Sequence, residues 1–189
     1  MSLLILGLAL FLGVHSISII APGWRDAQAA RLGENAWKGI YTLLSLAGFA
    51  LIVIGYGQAR QAPLVLYVPP VALRHVAALL MLPVFVLLLA AYLPGRIKAA
   101  VKHPMLVATK LWATAHLLAN GNLADLLLFG GFLAWAVADR ISMKQRVQRP
   151  LPGAPAGRFN DLIAVLAGLA LYALFITVGH RWLIGVAPL

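Results

Sequence analysis

The chain contains no cysteine, and only five of its 189 residues are acidic. Without cysteine, disulfides, thiolate metal sites and a cysteine nucleophile are all excluded. The acids lie in loops or at the ends of predicted helices, and they are Asp26, Glu34, Asp125, Asp139 and Asp161. Zinc or non-haem iron usually takes a carboxylate or a third histidine as a ligand. This placement therefore argues against a metal hydrolase, acid–base catalysis and a carboxylate proton relay.

Charge of either sign is scarce, because 11% of the residues are charged and 62% are hydrophobic. Soluble domains carry roughly 25% charged residues. A soluble fold of this length could not bury so much apolar side chain, so we expect the lipid bilayer to surround much of the protein. The net charge of +10 fits basic loops beside anionic lipid. No aromatic–basic platform is present, so we expect no nucleic acid partner.

Six stretches are apolar enough to predict membrane-spanning helices, which need about 20 such residues. They cover residues 2–21, 37–57, 71–93, 104–120, 123–139 and 161–180. Residues 1–23 hold no Lys or Arg, so they lack the basic region of a signal peptide and predict a retained first helix. Only Asn120-Gly121-Asn122 separates helices four and five, which predicts a short hairpin. The predicted fold is an all-α polytopic transmembrane bundle of about six helices, in one domain covering residues 1–189.

The basic residues divide unevenly between the two sides of this predicted bundle. Loops one, three and five and their borders hold twelve, namely Arg25, Arg31, Lys38, Arg96, Lys98, Lys102, Lys110, Arg140, Lys144, Arg146, Arg149 and Arg158. The other side holds three, namely Arg60, Arg74 and Arg181. The positive-inside rule therefore predicts that loops one, three and five are cytoplasmic and that both termini are outside.

Two of the five histidines, His15 and His116, lie well inside predicted spanning helices, whereas His75, His103 and His180 lie at helix ends. Ionisable groups within a membrane are costly and often functional. Two neutral imidazoles facing each other across a helical bundle form an axial ligand pair for haem iron. The alternative is that both histidines are structural. Trp112 precedes His116 by four residues and so shares its helix face.

Loop one concentrates charge, with Arg31, Glu34 and Lys38 close together. One interpretation is a solvated interfacial loop. The other is that Arg31 and Lys38 hold anionic groups such as haem propionates while Glu34 fixes their orientation. On the same predicted side, Lys102 and Lys110 are further candidate cations. His103, just before Pro104, is either a helix-start residue or a contact to a propionate.

Several segments, in this order along most of the chain, resemble the NnrU family of membrane proteins. The same superfamily contains the plant and cyanobacterial 15-cis-zeta-carotene isomerases. The resemblance rests on His15-Ser16, Arg31-Leu32-Gly33-Glu34, Tyr41, His103-Pro104, Trp112-Ala113-Thr114-Ala115-His116 and Asn120-Gly121. The segment from His103-Pro104 to His116 is the most specific part.

The resemblance implies a multi-pass protein of the bacterial inner membrane that binds haem b, with its iron held by His15 and His116. It also implies a redox, sensing or maturation role in nitric oxide and nitrite reduction, that is, in denitrification. The isomerases carry a cysteine three residues before the second histidine, where this chain has Ala113.

Two enzyme interpretations stay open beside the non-enzymatic haem protein. One is a haem-dependent cis-trans isomerase of an apolar polyene or a similar lipid-like molecule. The other is an S-adenosylmethionine-dependent methyltransferase, because His103-Pro104 before a hairpin also resembles the isoprenylcysteine type of membrane methyltransferase.

Overall fold

The long apolar stretches form helices, because in lipid the backbone N–H and C=O groups must find partners within their own segment. The computed structural model describes residues 1–147, 149 and 152–188. Within them the regular structure is helical, apart from one isolated antiparallel bridge between Val65 and Asn122. The α-helices are α1 (Ser2–Ile20), α2 (Pro22–Leu32), α3 (Glu34–Ala59), α4 (Ala72–Tyr92), α5 (Arg96–Val101), α6 (Pro104–Ala119), α7 (Leu123–Ser142), α8 (Asn160–Leu174) and α9 (His180–Ile184). A π-helical segment, Phe175–Gly179, joins α8 to α9. The predicted all-α fold is confirmed.

Four helical segments of the described chain are long and apolar enough to cross a membrane, fewer than the six predicted. They are Ser2–Ile20, Glu34–Ala59, Ala72–Tyr92 and Asn160–Ile184. The predicted fourth helix, α6, has 16 residues. At 1.5 Å per residue it reaches roughly 24 Å, short of a hydrocarbon layer about 30 Å thick. The predicted fifth helix, α7, is longer but carries buried Asp125 and Asp139 near its two ends.

The region predicted as loop one is largely helical, which corrects the prediction of an interfacial loop there. Pro22 is the first residue of α2, where its missing N–H costs nothing. The helix packs against α1 and α3, and the ring of Trp24 meets the edge of Trp37 with 6.0 Å between centroids. Hydropathy did not reveal α2, because a short polar helix gains its stability from tertiary packing rather than from an apolar run.

The first of two compact units comprises Met1–Tyr67 and Asn122–Gln148, here called unit 1. Its main contact is between α1 and α3, and α7 packs beside α1. Two glycines of α3 allow the close approach. A Cβ atom at Gly48 would lie 2.8 Å from the backbone nitrogen of Phe11, and one at Gly55 would overlap the backbone of Leu4. Small residues bring helix backbones together in this way in membranes.

Polar groups fix both ends of α7 in unit 1. At the start, Asn122 and Asp125 form a capping box, and the Tyr56 hydroxyl donates a hydrogen bond of 2.5 Å to the Asp125 carboxylate. Beyond the other end, Arg146 pairs with Asp139, with side chains only 15% and 9% exposed. These bonds satisfy acids that would be costly to bury alone.

The second unit comprises Val68–Gly121 and Arg149–Leu189, here called unit 2. Its central helix is α4, which packs against both α6 and α8. Val84 and Leu87 of α4 form the buried core with Ala108 of α6, and Trp112 packs against them. Pro104 is the first residue of α6, as predicted, with His103 preceding it. Asn120 and Asn122 fall in different units, so the packing of α6 against α7 as a hairpin stays a prediction.

A carboxylate from α8 caps α5 within unit 2. The backbone N–H groups of Arg96 and Ile97 donate to Asp161, at 2.8 and 3.0 Å. The approach needs a glycine at position 95, since a Cβ atom there would overlap the Asp161 carboxylate. The acid at the start of the predicted sixth helix therefore stabilises the N-terminus of another helix, an arrangement that follows from packing.

Candidate functional site

His15 lies in unit 1 among aromatic rings from three helices. Its ring stacks on that of Phe11 with 4.1 Å between centroids. Tyr41 of α3 lies 5.2 Å away, and Trp135 of α7 meets it edge-on at 6.0 Å. The close approach of α1 and α3 at Gly48 places Phe11, and with it the next turn of α1, against α3. We call these four aromatic or imidazole side chains the His15 site.

The orientation of the His15 ring is fixed by its own helix. Its Nδ1 atom lies 2.7 Å from the carbonyl oxygen of Phe11, four residues earlier. A carbonyl oxygen only accepts hydrogen bonds, so Nδ1 carries the proton and donates it. In the neutral ring the lone pair is then on Nε2. This is the tautomer in which histidine binds a metal through Nε2, with its other nitrogen held by a backbone carbonyl.

Two buried donors of unit 1 have no hydrogen-bond partner in the described part of the chain. They are the indole nitrogen of Trp135 and the hydroxyl of Ser45. Ser45 lies one helical turn after Tyr41 and one turn before Phe49, which contacts Phe11. Buried donors without partners are rare and suggest a missing acceptor. The His15 site therefore offers an aromatic wall together with one such donor, the Trp135 indole, and Ser45 supplies a second donor elsewhere on α3.

His116 lies near the end of α6 in unit 2, on the face of Trp112. Its Nδ1 atom is 2.8 Å from the carbonyl oxygen of Trp112, so this imidazole also has the Nε2 tautomer. The two rings are 5.4 Å apart. Trp112 thus links His116 to the packed core between α4 and α6.

A second histidine, His180, lies beside His116. The sequence had placed His116 inside a predicted helix and His180 at the end of another, with no indication that they meet. Their ring centroids are 6.5 Å apart, with planes inclined by 23°. His180 follows directly after the π-helical segment, in which each turn is wider than in an α-helix. The Thr177 hydroxyl donates to the carbonyl of Ala173, a bond that perturbs helices.

The predicted anion-binding residues are divided between the two units. Glu34 pairs with Lys38 at 2.9 Å on the exposed surface of α3, one turn apart. Arg31 lies exposed in the last turn of α2. His103, Lys102 and Lys110 belong to unit 2. The roles of these residues toward propionates therefore stay predictions.

The described residues include no cluster of three or more candidate metal ligands. No group of three or more His, Cys, Asp or Glu side chains there is arranged to hold a metal ion. The candidate ligands are single or paired imidazoles, which suit the axial positions of a haem better than a tetrahedral zinc site.

The comparison with protein families agrees with the family resemblance seen in the sequence. The family model described as NnrU protein matches residues 3–188, nearly the whole chain. The protein belongs to the NnrU family. No curated protein and no solved structure matches the chain. In this NnrU-family protein, His15 belongs to unit 1 and His116 to unit 2, so their pairing on one iron stays a prediction.

Proposed function

We propose that this NnrU-family protein binds haem b in the membrane, with His15 and His116 as the iron ligands. We further propose that it supports nitric oxide and nitrite reduction through a redox, sensing or maturation role. The observation that carries the proposal is the shared tautomer. Each of the two histidines donates its Nδ1 proton to the carbonyl four residues earlier, at 2.7 and 2.8 Å. Each therefore presents Nε2 as the metal-binding nitrogen.

The surroundings of the two histidines suit a flat apolar cofactor with anionic edges. Phe11, Tyr41 and Trp135 line His15, and Trp112 lies beside His116. The buried donors of Trp135 and Ser45, which have no hydrogen-bond partner among the described residues, are available to an acceptor. Propionates require cations or other donors. Arg31, Lys38, Lys102, Lys110 and His103 are the proposed propionate partners. When bound, the haem would supply an iron that changes oxidation state and binds small ligands.

The proposed topology follows from charge and is the same whether α6 and α7 both cross the membrane or neither does. If both cross, or if neither does, the basic segments before α6 and after α7 are on the same side. The twelve-to-three division of basic residues then favours a cytoplasmic location for both segments. A reporter active only in the cytoplasm, inserted at Gly153, should be active. An inactive reporter there, together with an active one at the C-terminus, would show that the predicted orientation in the membrane is the wrong way round.

The optical spectrum of the protein purified in detergent tests haem binding directly. Wild type should show the Soret band of a low-spin bis-histidine haem. We expect His15→Ala and His116→Ala each to lower the haem content or to produce a high-spin spectrum, because one iron ligand is lost. His75→Ala is the matched control, since His75 lies exposed near the start of α4. A Soret band that both ligand variants leave unchanged would overturn the bis-histidine assignment.

A physiological test separates haem binding from the proposed role. Cells that lack this protein should reduce nitric oxide or nitrite more slowly, and wild-type protein should restore the rate. His15→Ala and His116→Ala should not restore it, whereas His75→Ala should. Full activity in cells without the protein would overturn the role in denitrification and leave the haem assignment standing.

A further inference from the structure

We propose that His116 and His180 form a metal site within unit 2 that takes a monovalent copper ion between their two Nε2 atoms when no haem is bound. The ring separation is the first argument. At 6.5 Å between centroids the rings are too far apart for the face contact seen at 4.1 Å between Phe11 and His15. A metal about 2.0 Å from each of two nitrogens, each about 1.1 Å from its ring centre, would separate the centroids by roughly 6.2 Å.

The tautomers of the two rings are the second argument. The Nδ1 atom of His180 donates to the carbonyl oxygen of Val186 at 2.8 Å. His116 donates in the same way to Trp112, also at 2.8 Å. Both rings therefore carry the lone pair on Nε2, and both have the backbone-carbonyl support typical of metal-binding histidines. The metal would displace no proton, because neither Nε2 is protonated in the neutral rings.

The position of His180 is built by several features of the backbone, which is the third argument. A Cβ atom at Gly179 would lie 2.9 Å from the ring of Phe175, so a larger residue there would displace that ring. The Phe175 ring then meets His180 edge-on at 5.8 Å. On the other side, Gly185 takes a left-handed conformation with φ of 82° and ends α9. The turn at Gly185 leads the chain back, so that the carbonyl oxygen of Val186 can accept a hydrogen bond from the imidazole Nδ1–H group.

The donor set selects the class of metal. Imidazole nitrogen suits copper, zinc, iron and nickel. Zinc favours four tetrahedral ligands, and no third histidine or carboxylate joins this pair among the described residues. Monovalent copper accepts two nitrogen ligands, and this pair supplies two imidazoles whose ring centres lie 6.5 Å apart. Because His116 also serves in the proposed haem site, haem and copper should exclude each other.

Copper binding by the haem-free full-length protein in detergent tests this site without reference to haem. Titration against a chromophoric chelator of monovalent copper should show one ion per chain. His116→Ala and His180→Ala should each weaken binding by at least about a hundredfold. His15→Ala and His75→Ala should leave it unchanged. Wild-type affinity in both His116→Ala and His180→Ala would overturn the proposal.

A ligand replacement distinguishes a lost metal ligand from a lost fold. His180→Met puts a thioether, a good ligand for monovalent copper, in place of the imidazole. We expect this variant to recover most of the copper binding lost in His180→Ala, and X-ray absorption should show one sulfur neighbour replacing one nitrogen. If the folded His180→Met variant binds copper without a coordinating sulfur atom, the assignment is contradicted. A wild-type protein that binds zinc more tightly than monovalent copper would also contradict it. An absent Soret band in wild type would overturn only the haem proposal.

Discussion

The two histidine sites differ in how the chain builds them. In unit 1, regular helices place Phe11, Tyr41 and Trp135 around His15, and glycines set the spacing of α1 and α3. In unit 2, a π-helical segment and a left-handed turn bring His180 beside His116. Both sites fix the same imidazole tautomer. A backbone carbonyl four or six residues away in the chain therefore fixes the imidazole tautomer in both sites, although the packing around them differs.

Loss of the Asp139–Arg146 ion pair at the end of α7 should give the largest effect on unit 1. Asp139→Ala leaves Arg146 buried without its partner, and we expect a loss of about 2–4 kcal/mol in the free energy of unfolding. Denaturation with sodium dodecyl sulfate measures it. Asp26→Ala is the control. Its carboxylate is 57% exposed beside Arg25, so the change should stay below about 1 kcal/mol. Equal effects of the two substitutions would contradict the importance of burial here.

A substitution that forces α1 and α3 apart should have the next largest effect on stability. Gly55→Ala places a methyl group on the backbone of Leu4 and should destabilise the protein by about 1–3 kcal/mol. Gly57→Ala in the same helix meets no described atom within 4 Å and should be neutral or slightly stabilising. Hydrogen–deuterium exchange should rise in α1 and α3 of the Gly55 variant. Faster exchange around His180 instead of α1 would contradict the expectation that Gly55 supports the His15 site and not the site of His116 and His180.

The unpartnered indole of Trp135 should give the smallest change in stability and the sharpest view of the His15 site. Trp135→Phe keeps an aromatic ring and removes a buried donor that has no partner in the described structure. The haem-free protein should be unchanged or stabilised by up to about 1 kcal/mol. Haem content should fall if the indole donates to the cofactor, whereas copper binding at His116 should not change. A destabilisation as large as that of Asp139→Ala would show that the indole already has a partner.

The sequence by itself determined the class of the protein and much of its helical layout. Apolar runs predicted α1, α4 and α6 to within one residue at each end, because the bilayer requires long apolar helices whatever their neighbours are. The order of its motifs indicated the NnrU family, and the family comparison confirmed it. His15 and His116 were identified as candidate ligands for the same local reason, since each interrupts an apolar segment.

Only the tertiary structure decided what surrounds those histidines. The polar helix α2, the capping of α5 by Asp161 and the meeting of His116 with His180 have no signature in local hydropathy. Each depends on residues distant in the chain or on a helix irregularity. His180 lies 64 positions after His116, and the π-helical segment sets the direction in which its ring points. Hydropathy sums the cost of placing residues in lipid, whereas contacts between side chains depend on how helices pack and where their backbones deviate.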